Sequence, residues 1–315
     1  MRIAVTGAAG YLGLSVVTAL SAAGHEIIAL SRTGRPNWPT GVHAYTADLA
    51  DHEATNHALR GTDALCHLAA VMRTNSPHTV AEYYRTNVVG TLDLLDAIAV
   101  EQARTGRPTR MVFLSSAAVY GTGQGRRPLR ETDPTVPAGP YGHSKLAAEH
   151  AIDSYARAGA LGAVTLRLFN AAGIAPSGRA PGNSLISQAL NCAASGRTLR
   201  INGDGCAIRD FVHITDVVKA VGLALNAAVP GSVQTYNLGA VPASVQDVVD
   251  AAQQISGRHI DIDRSPAHGN DITYSVADTT QAVEHLGWVP KHTSLDTMIR
   301  DQWQWVLGKR TTEEF

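Results

Sequence analysis

Residues 6–13 read TGAAGYLG, and the reading of this octapeptide decides the fold. It places Gly7, Gly10 and Gly13 between an apolar run, RIAVT (2–6), and a helix-length pattern, YLGLSVVTALSAAG (11–24). A turn from strand to helix needs glycine where a Cβ would strain the backbone or block a close approach. The helix behind it offers its first N–H groups, including those of Tyr11, Leu12 and Gly13, and the positive end of its dipole to an anion. A glycine triplet alone is a weak signal. Its place in the first βα unit is what points to the pyrophosphate of a dinucleotide.

Working outward, the next strand ends in IIALSRTGRP (27–36). A dinucleotide-binding fold usually carries an acid there, which grips the adenosine ribose hydroxyls and repels a 2′-phosphate. Here the position holds Ser31, followed by Arg32. Serine removes the repulsion, and Arg32, helped by Arg35, has the planar fork that pairs with phosphate. This favours NADP as the cofactor; the alternative is NAD, with Ser31 bonding the 2′-hydroxyl and Arg32 in water.

Further apolar runs follow at VHAYT (42–46), ALCHLAA (64–70) and RMVFLSS (110–116). Between them lie patterns such as VAEYYRTNVVGTLDLLDAIAVEQA (80–103), whose apolar positions recur every three to four residues. Alternating strands and helices predict an α/β protein, a Rossmann-type doubly wound parallel sheet covered on both faces. From about residue 168 the chain becomes richer in Gly, Pro, Asn and Ser. We therefore expect a dinucleotide-binding domain over 1–167 and a smaller C-terminal substrate-binding lobe over 168–315. Segments at about 207–240, FVHITDVVKAVGLALNA and TYNLG, return to the first domain.

Composition narrows the partners. The 315 residues are 44% hydrophobic and 17% charged, with 26 basic against 27 acidic side chains, so no broad field attracts nucleic acid or an anionic membrane. A small molecule is the expected ligand. The N-terminus runs into RIAVTGAAG without a basic leader or a long apolar region, which places the chain in the cytoplasm. Cys66, Cys192 and Cys206 are far apart and form no C-x-x-C pair, which argues for buried small hydrophobes and against a disulfide or metal site.

The chemistry is carried by PYGHSK and FLSSAAVYG. If a helix begins near Pro140, Tyr141 and Lys145 leave one face of it. A phenol is too weak an acid to serve as a base at neutral pH unless a cation supports its anion, and Lys145 is that cation. Ser115 and Ser116 end a strand, where open α/β sheets bind ligands, and a serine hydroxyl there holds a substrate oxygen near Tyr141.

In order along the chain, TGAAGYLG, HLAA, FLSSAAVYG, PYGHSK, RLFNAAG and RDFVHITD resemble the extended short-chain dehydrogenase/reductase superfamily. Within it they are most similar to the NAD-dependent epimerase/dehydratase family and its UDP-galactose 4-epimerases. The likeness extends to SVADTTQAVEHLGWVP near the C-terminus. It implies Tyr141 as acid/base, Lys145 as the ribose-binding partner that lowers the phenol, and Ser116 as the hydroxyl beside the sugar oxygen. Asp48 and Leu49 would meet the adenine. Leu68, Ala69, Ala70, Asn87 and Phe169 would line the cofactor. Asn170, Asn183, Arg209 and His268 would face a nucleotide-sugar, with Arg209 on its diphosphate. The resemblance also implies a homodimer paired through the helices near 80–105 and 141–158.

Departures from that pattern sort the reactions. Sugar dehydratases of the superfamily carry an Asp-Glu pair after the active-site hydroxyl, where this chain has Ala117 and Ala118, so elimination lacks its acid and base. His268 stands where the resemblance leads one to expect an arginine three residues before Asp271, so either Arg264 reaches the diphosphate or the substrate binds differently. The leading reading is an NAD(P)-dependent nucleotide-sugar epimerase acting at C4 through a transient keto-sugar. The alternative is an NADPH-dependent keto-sugar or other carbonyl reductase of a secondary-metabolite pathway, which Ser31, Arg32 and His268 favour. A regulatory NADP sensor would not need Ser116, Tyr141 and Lys145 together. His67 and His213 sit in core-like runs and read as structural.

Overall fold

A computed structural model describes residues 1–34, 37–72, 78–122, 125–175, 180–182, 184–267 and 271–313. The chain opens with β1 (Arg2–Thr6), α1 (Tyr11–Ala22), β2 (Glu26–Ser31), β3 (Val42–Thr46), α2 (His52–Leu59) and β4 (Ala64–His67). Next come α3 (Val80–Tyr84), a π-helical turn (Arg85–Val89), α4 (Gly90–Thr105), β5 (Thr109–Ser116), a 3-10 turn (Ala117–Val119), α5 (Pro140–Arg157), β6 (Leu161–Leu168) and β7 (Asn170–Ala172). The remainder contains α6 (Leu185–Ser195), β8 (Leu199–Asn202), β9 (Ile208–His213), α7 (Ile214–Ala227), β10 (Val233–Leu238), β11 (Val241–Ser244), α8 (Val245–Ser256), β12 (Ile262–Ser265), β13 (Tyr274–Ser275), α9 (Thr280–Leu286) and α10 (Leu295–Glu313).

The large sheet runs β3-β2-β1-β4-β5-β6-β10 with every pair parallel. Its inner strands β1, β2, β4 and β5 carry mainly apolar, buried residues in their middles because both faces are covered. Ile3 and Val5 point into a cluster built with α1 and α7, while Ala4 points into the opposite cluster built with α2, α4 and α5. The order reverses between β1 and β4, and the carboxyl ends of the strands form a crevice at that switch point. This is the doubly wound α/β fold expected from the alternation of elements.

A second core joins α6, α8 and α10 to β8, β9, β11 and β12. Here β9 is central to a four-stranded sheet, antiparallel to β11 and parallel to β7 and β13. Of the segment at about 207–240, β10 lies at the edge of the large sheet and α7 covers that sheet, whereas β9 belongs to the small one. No helix among the described residues is long and apolar enough to cross a membrane.

One stretch differs from its pattern. The helix expected over 80–103 is interrupted by the π turn at Arg85–Val89, which turns Asn87 inward until it is 1% exposed. Gly90 then meets Leu49, because a Cβ there would lie 3.1 Å from the leucine Cβ.

Candidate active site

The glycine turn sits at the switch point and is pressed against its surroundings by backbone alone. Gly7 takes φ +66°, and a Cβ on it would stand 2.8 Å from the Ala69 amide nitrogen. A Cβ on Gly13 would lie 2.1 Å from the Gly7 carbonyl oxygen. Leu68 and Ala69 therefore flank the loop, with Ala70 beyond them. Gly10 begins α1 without a side-chain cap, and Leu12 packs against the core beneath. The Tyr11 hydroxyl donates to the carbonyls of Ala172 and Gly173 at 3.0 and 2.9 Å, so it ties the loop to the chain beyond β6.

At the adenosine end the side chains are looser. Ser31 Oγ donates to the Thr33 carbonyl at 2.8 Å, and Arg32 is exposed. Asp48 is exposed and accepts from the Ala50 amide at 3.1 Å, closing a local turn. Leu49, expected at the adenine, is buried against α4, where its isobutyl group packs into the core. Arg35 lies outside the described residues.

The catalytic candidates converge. Pro140 opens α5 and puts Tyr141 and Lys145 on one face. Gly142 lets the helix settle on the 3-10 turn, since a Cβ there would lie 2.4 Å from the Ala118 carbonyl. That close approach brings the Tyr141 hydroxyl into a hydrogen bond with Ser116. Ser116 Oγ also accepts from the Ala118 amide at 3.2 Å. Lys145 is 2% exposed, its Nζ lying 4.0 Å from the centre of the Phe113 ring.

Burial governs the electrostatics here. Burial raises the Tyr141 pKa, and the Ser116 hydrogen bond opposes that shift without reversing it. Burial likewise pulls Lys145 down to about 7, against the pull of the Glu149 carboxylate. The ammonium lies over the Phe113 ring, and desolvation pushes both groups toward their neutral forms. A tyrosine held beside a serine hydroxyl, with a lysine on the next turn, can give a proton as the phenol and take one as the phenolate at one shared oxygen.

Two cofactor candidates are occupied by protein. Asn87 Oδ1 accepts from the Val71 amide at 2.8 Å, while its Nδ2 donates to the Val71 carbonyl at 3.0 Å and to Ser144 Oγ at 2.9 Å. The π turn points this amide into the protein, so it braces α5 instead of reaching outward. Phe169 is buried in a small cluster with Val119, Tyr120 and Leu129. His67 fits its structural reading: its ring bonds Thr6 at 2.7 Å and Thr91 at 2.9 Å, and burial, with the Lys145 charge adding to it, lowers its pKa to about 3. His213 caps α7 through Thr215 and stacks on His292 at 4.2 Å.

On β9, Arg209 is half-buried and donates to the Ile208 carbonyl at 2.9 Å. Its guanidinium is pulled below its ordinary range by burial, with the Asp271 carboxylate opposing. Asp210 is not its partner. That carboxylate accepts from the amides of Ala240, Val241 and Ala277 at 2.7, 2.9 and 2.9 Å. Asn170 donates to the Asp210 carbonyl at 2.9 Å. Arg264 is bound to Gln246 at 2.8 Å, while Asn183 and His268 lie outside the described residues. Of the cysteines Cys66 is buried and Cys192 half-buried, but Cys206 is exposed, because it sits in a polar turn beside Asp204.

Sequence reading missed Tyr83, whose ring lies 6.2 Å from that of Tyr141, and the buried pair Glu149 and Arg167. The signal for the pair was available: a charged residue inside the apolar strand LGAVTLRL demands a partner, and Glu149 continues the four-residue spacing of Tyr141 and Lys145.

Comparison with known proteins fits this geometry. The profile of the NAD dependent epimerase/dehydratase family matches residues 3–239. The UDP-glucose 4-epimerase of Halalkalibacterium halodurans is 34% identical, over 97% of this chain and 95% of that protein. The solved structure of MoeE5 in complex with UDP-glucuronic acid and NAD is 31% identical with a TM-score of 0.86, covering 98% of this chain and 100% of that one. The UDP-glucose 4-epimerase of Thermus thermophilus, solved as its complex with NAD, is 28% identical with a TM-score of 0.85, covering 98% of this chain and 99% of that one.

Proposed function

The chain belongs to the NAD dependent epimerase/dehydratase family, and from that premise we propose that it is an NAD-dependent 4-epimerase of UDP-sugars. The observation that carries this reading is Tyr141 beside Ser116, with Lys145 one turn along α5, at the carboxyl end of β5 in the sheet whose β1 leads into the glycine turn. On this reading residues 1–167 chiefly hold the dinucleotide and 168–315 chiefly the sugar nucleotide.

The residues present fit a dinucleotide. Two glycines have space for no Cβ, and α1 begins there without a side-chain cap, the arrangement that suits a pyrophosphate. Both solved relatives described above hold NAD, and they give no support to the NADP preference that Ser31 and Arg32 suggested. Ser31, which gives its proton to Thr33, keeps lone pairs that accept from a ribose hydroxyl. NAD is the cofactor we assign.

Bound NAD supplies reversible hydride chemistry at the sugar C4, so that the overall reaction needs no external reductant. The protein supplies the proton steps. Tyr141, acting as the phenolate, takes the C4 hydroxyl proton as that carbon is oxidised and, then a phenol, returns it when the opposite epimer forms. Ser116 holds the same oxygen through both steps. Lys145, when protonated against the cost of burial by the pull of Glu149, supports the phenolate, and Arg209 pairs with the diphosphate. Exposed Val80, Tyr84, Val89 and Val100 on the helices between 80 and 105 support working as a homodimer.

The test is conversion of UDP-glucose to its C4 epimer by the purified protein without added cofactor. Conversion is expected, and Tyr141→Phe should slow it by about a thousandfold while retaining bound NAD, the size of a lost acid/base residue. NADPH consumption with a ketone, and no epimerisation, would replace this reading with a reductase.

A further inference from the structure

Beneath the proposed catalytic groups lies a polar row that the epimerisation scheme does not use. Ser115, Arg167 and Asn237 face one another in register across β5, β6 and β10. Glu149 drops into this row from α5. It accepts from Arg167 Nη2 at 2.7 Å, from Arg167 Nε at 3.2 Å and from Ser115 Oγ at 2.5 Å. Arg167 Nη1 then donates to the Tyr120 hydroxyl at 3.0 Å and to the Glu131 carbonyl at 3.2 Å, and Tyr120 donates to Asn237 Oδ1 at 2.8 Å. Glu149 and Arg167 are 9% and 7% exposed.

A buried ion pair is weak evidence for stability, because desolvation offsets most of its attraction, so its retention asks for another reason. Position supplies one. Glu149 lies one helical turn beyond Lys145 and two beyond Tyr141, while Ser115 adjoins Ser116. We propose that Glu149 is a positioning residue for the epimerisation: gripped by Arg167 and Ser115, it sets the rotation of α5 over β5 and gives Lys145 its counter-charge. The proposal rests on the epimerase reading above. The groups that act on Lys145 are Glu149 from its own helix and, from the sheet, His67 and the Phe113 ring; Arg167 acts on it through Glu149. His67 is held neutral by burial, which leaves Glu149 as the anion whose pull keeps Lys145 protonated toward neutral pH.

Glu149→Gln preserves shape and removes charge. In the NAD-loaded enzyme it should lower kcat for UDP-glucose by about tenfold while KM stays within about twofold, since a small displacement at a reacting centre costs rate rather than binding. The alkaline limb of the kcat profile should move to lower pH. A readout independent of substrate is NMR titration of the lysine side chains, four in this chain, with Lys145→Met for assignment. The Lys145 signal should titrate about one pH unit lower in Glu149→Gln. If Glu149→Gln does not fold, Ser115→Ala decides, with an expected fall in kcat of about threefold, the size of one neutral hydrogen bond, and NAD content unchanged. Unchanged kcat and an unmoved lysine titration would overturn the proposal. Wild-type protein inert toward UDP-glucose, but with the lysine shift present, would instead overturn the epimerase reading and leave the counter-charge standing.

Discussion

The two walls of the crevice are made differently. The cofactor wall is backbone: Gly7, Gly13 and Ala69 approach within distances that exclude any Cβ. The wall we propose opposite it is side chain: Arg209 on β9 and Asn170 on β7, held by the carbonyls of Ile208 and Asp210. A backbone wall tolerates no substitution at its glycines but says little about which ligand fits. A side-chain wall can be changed residue by residue and sets the ligand. Substitutions on the first should therefore act as all-or-none losses, and those on the second as graded ones.

The sharpest way to break this contrast is Gly13→Ala. The added methyl would meet the Gly7 carbonyl oxygen at 2.1 Å, the Gly7 carbonyl carbon at 2.8 Å and Ala8 Cα at 2.9 Å, all of them backbone, so the loop itself must move. Strain of ~3 kcal/mol, at the upper end for overpacking, corresponds to NAD binding weaker by about a hundredfold. Calorimetric titration with NAD checks it. Binding within about threefold of wild type would mean that the loop is compliant and the contrast false.

Arg209→Ala should do less. It removes the guanidinium assigned to the diphosphate and leaves Asp271 without that neighbouring charge. A charge-assisted hydrogen bond of ~1.5 kcal/mol predicts KM for the UDP-sugar raised by about tenfold, with bound NAD unaffected. Steady-state kinetics with the NAD content measured in parallel tests this. An equal loss of NAD would place Arg209 on the wrong wall.

The same contrast explains what could be read in the sequence. Glycine at Gly7 and Gly13 is required by backbone geometry, so TGAAGYLG declared the turn, its strand and its helix together. Strands buried on both faces show as apolar runs, and those from β1 to β5 were placed within a few residues. The interruption at Arg85–Val89 was illegible, because a π turn leaves the apolar spacing nearly intact while it rotates one residue, Asn87, inward. Leu49 and Phe169, placed beside the cofactor by resemblance, are buried in clusters of their own, because an apolar side chain near a site enters the core where packing allows it. Glu149 and Arg167 join segments far apart in sequence, and their pairing follows from β6 lying beside β5 under α5.

The smallest expected effect lies where the cofactor wall passes from backbone to side chain, at the end of β2. Arg32 is exposed, and Ser31 gives its hydrogen to Thr33, so neither is held as Gly7 and Gly13 are. If NAD is the cofactor, Arg32→Ala has no 2′-phosphate to lose, and the NAD dissociation constant should change by less than about threefold, within the range of exposed charge contacts. The dissociation constant for NADP in the same variant sharpens the point. A 2′-phosphate in the wild type would reach the Arg32 guanidinium, so the variant should lose more affinity for NADP than for NAD. The two constants falling together by about tenfold would show that Arg32 acts on the shared pyrophosphate or ribose, and that the exposed end of β2 belongs to the wall's working surface.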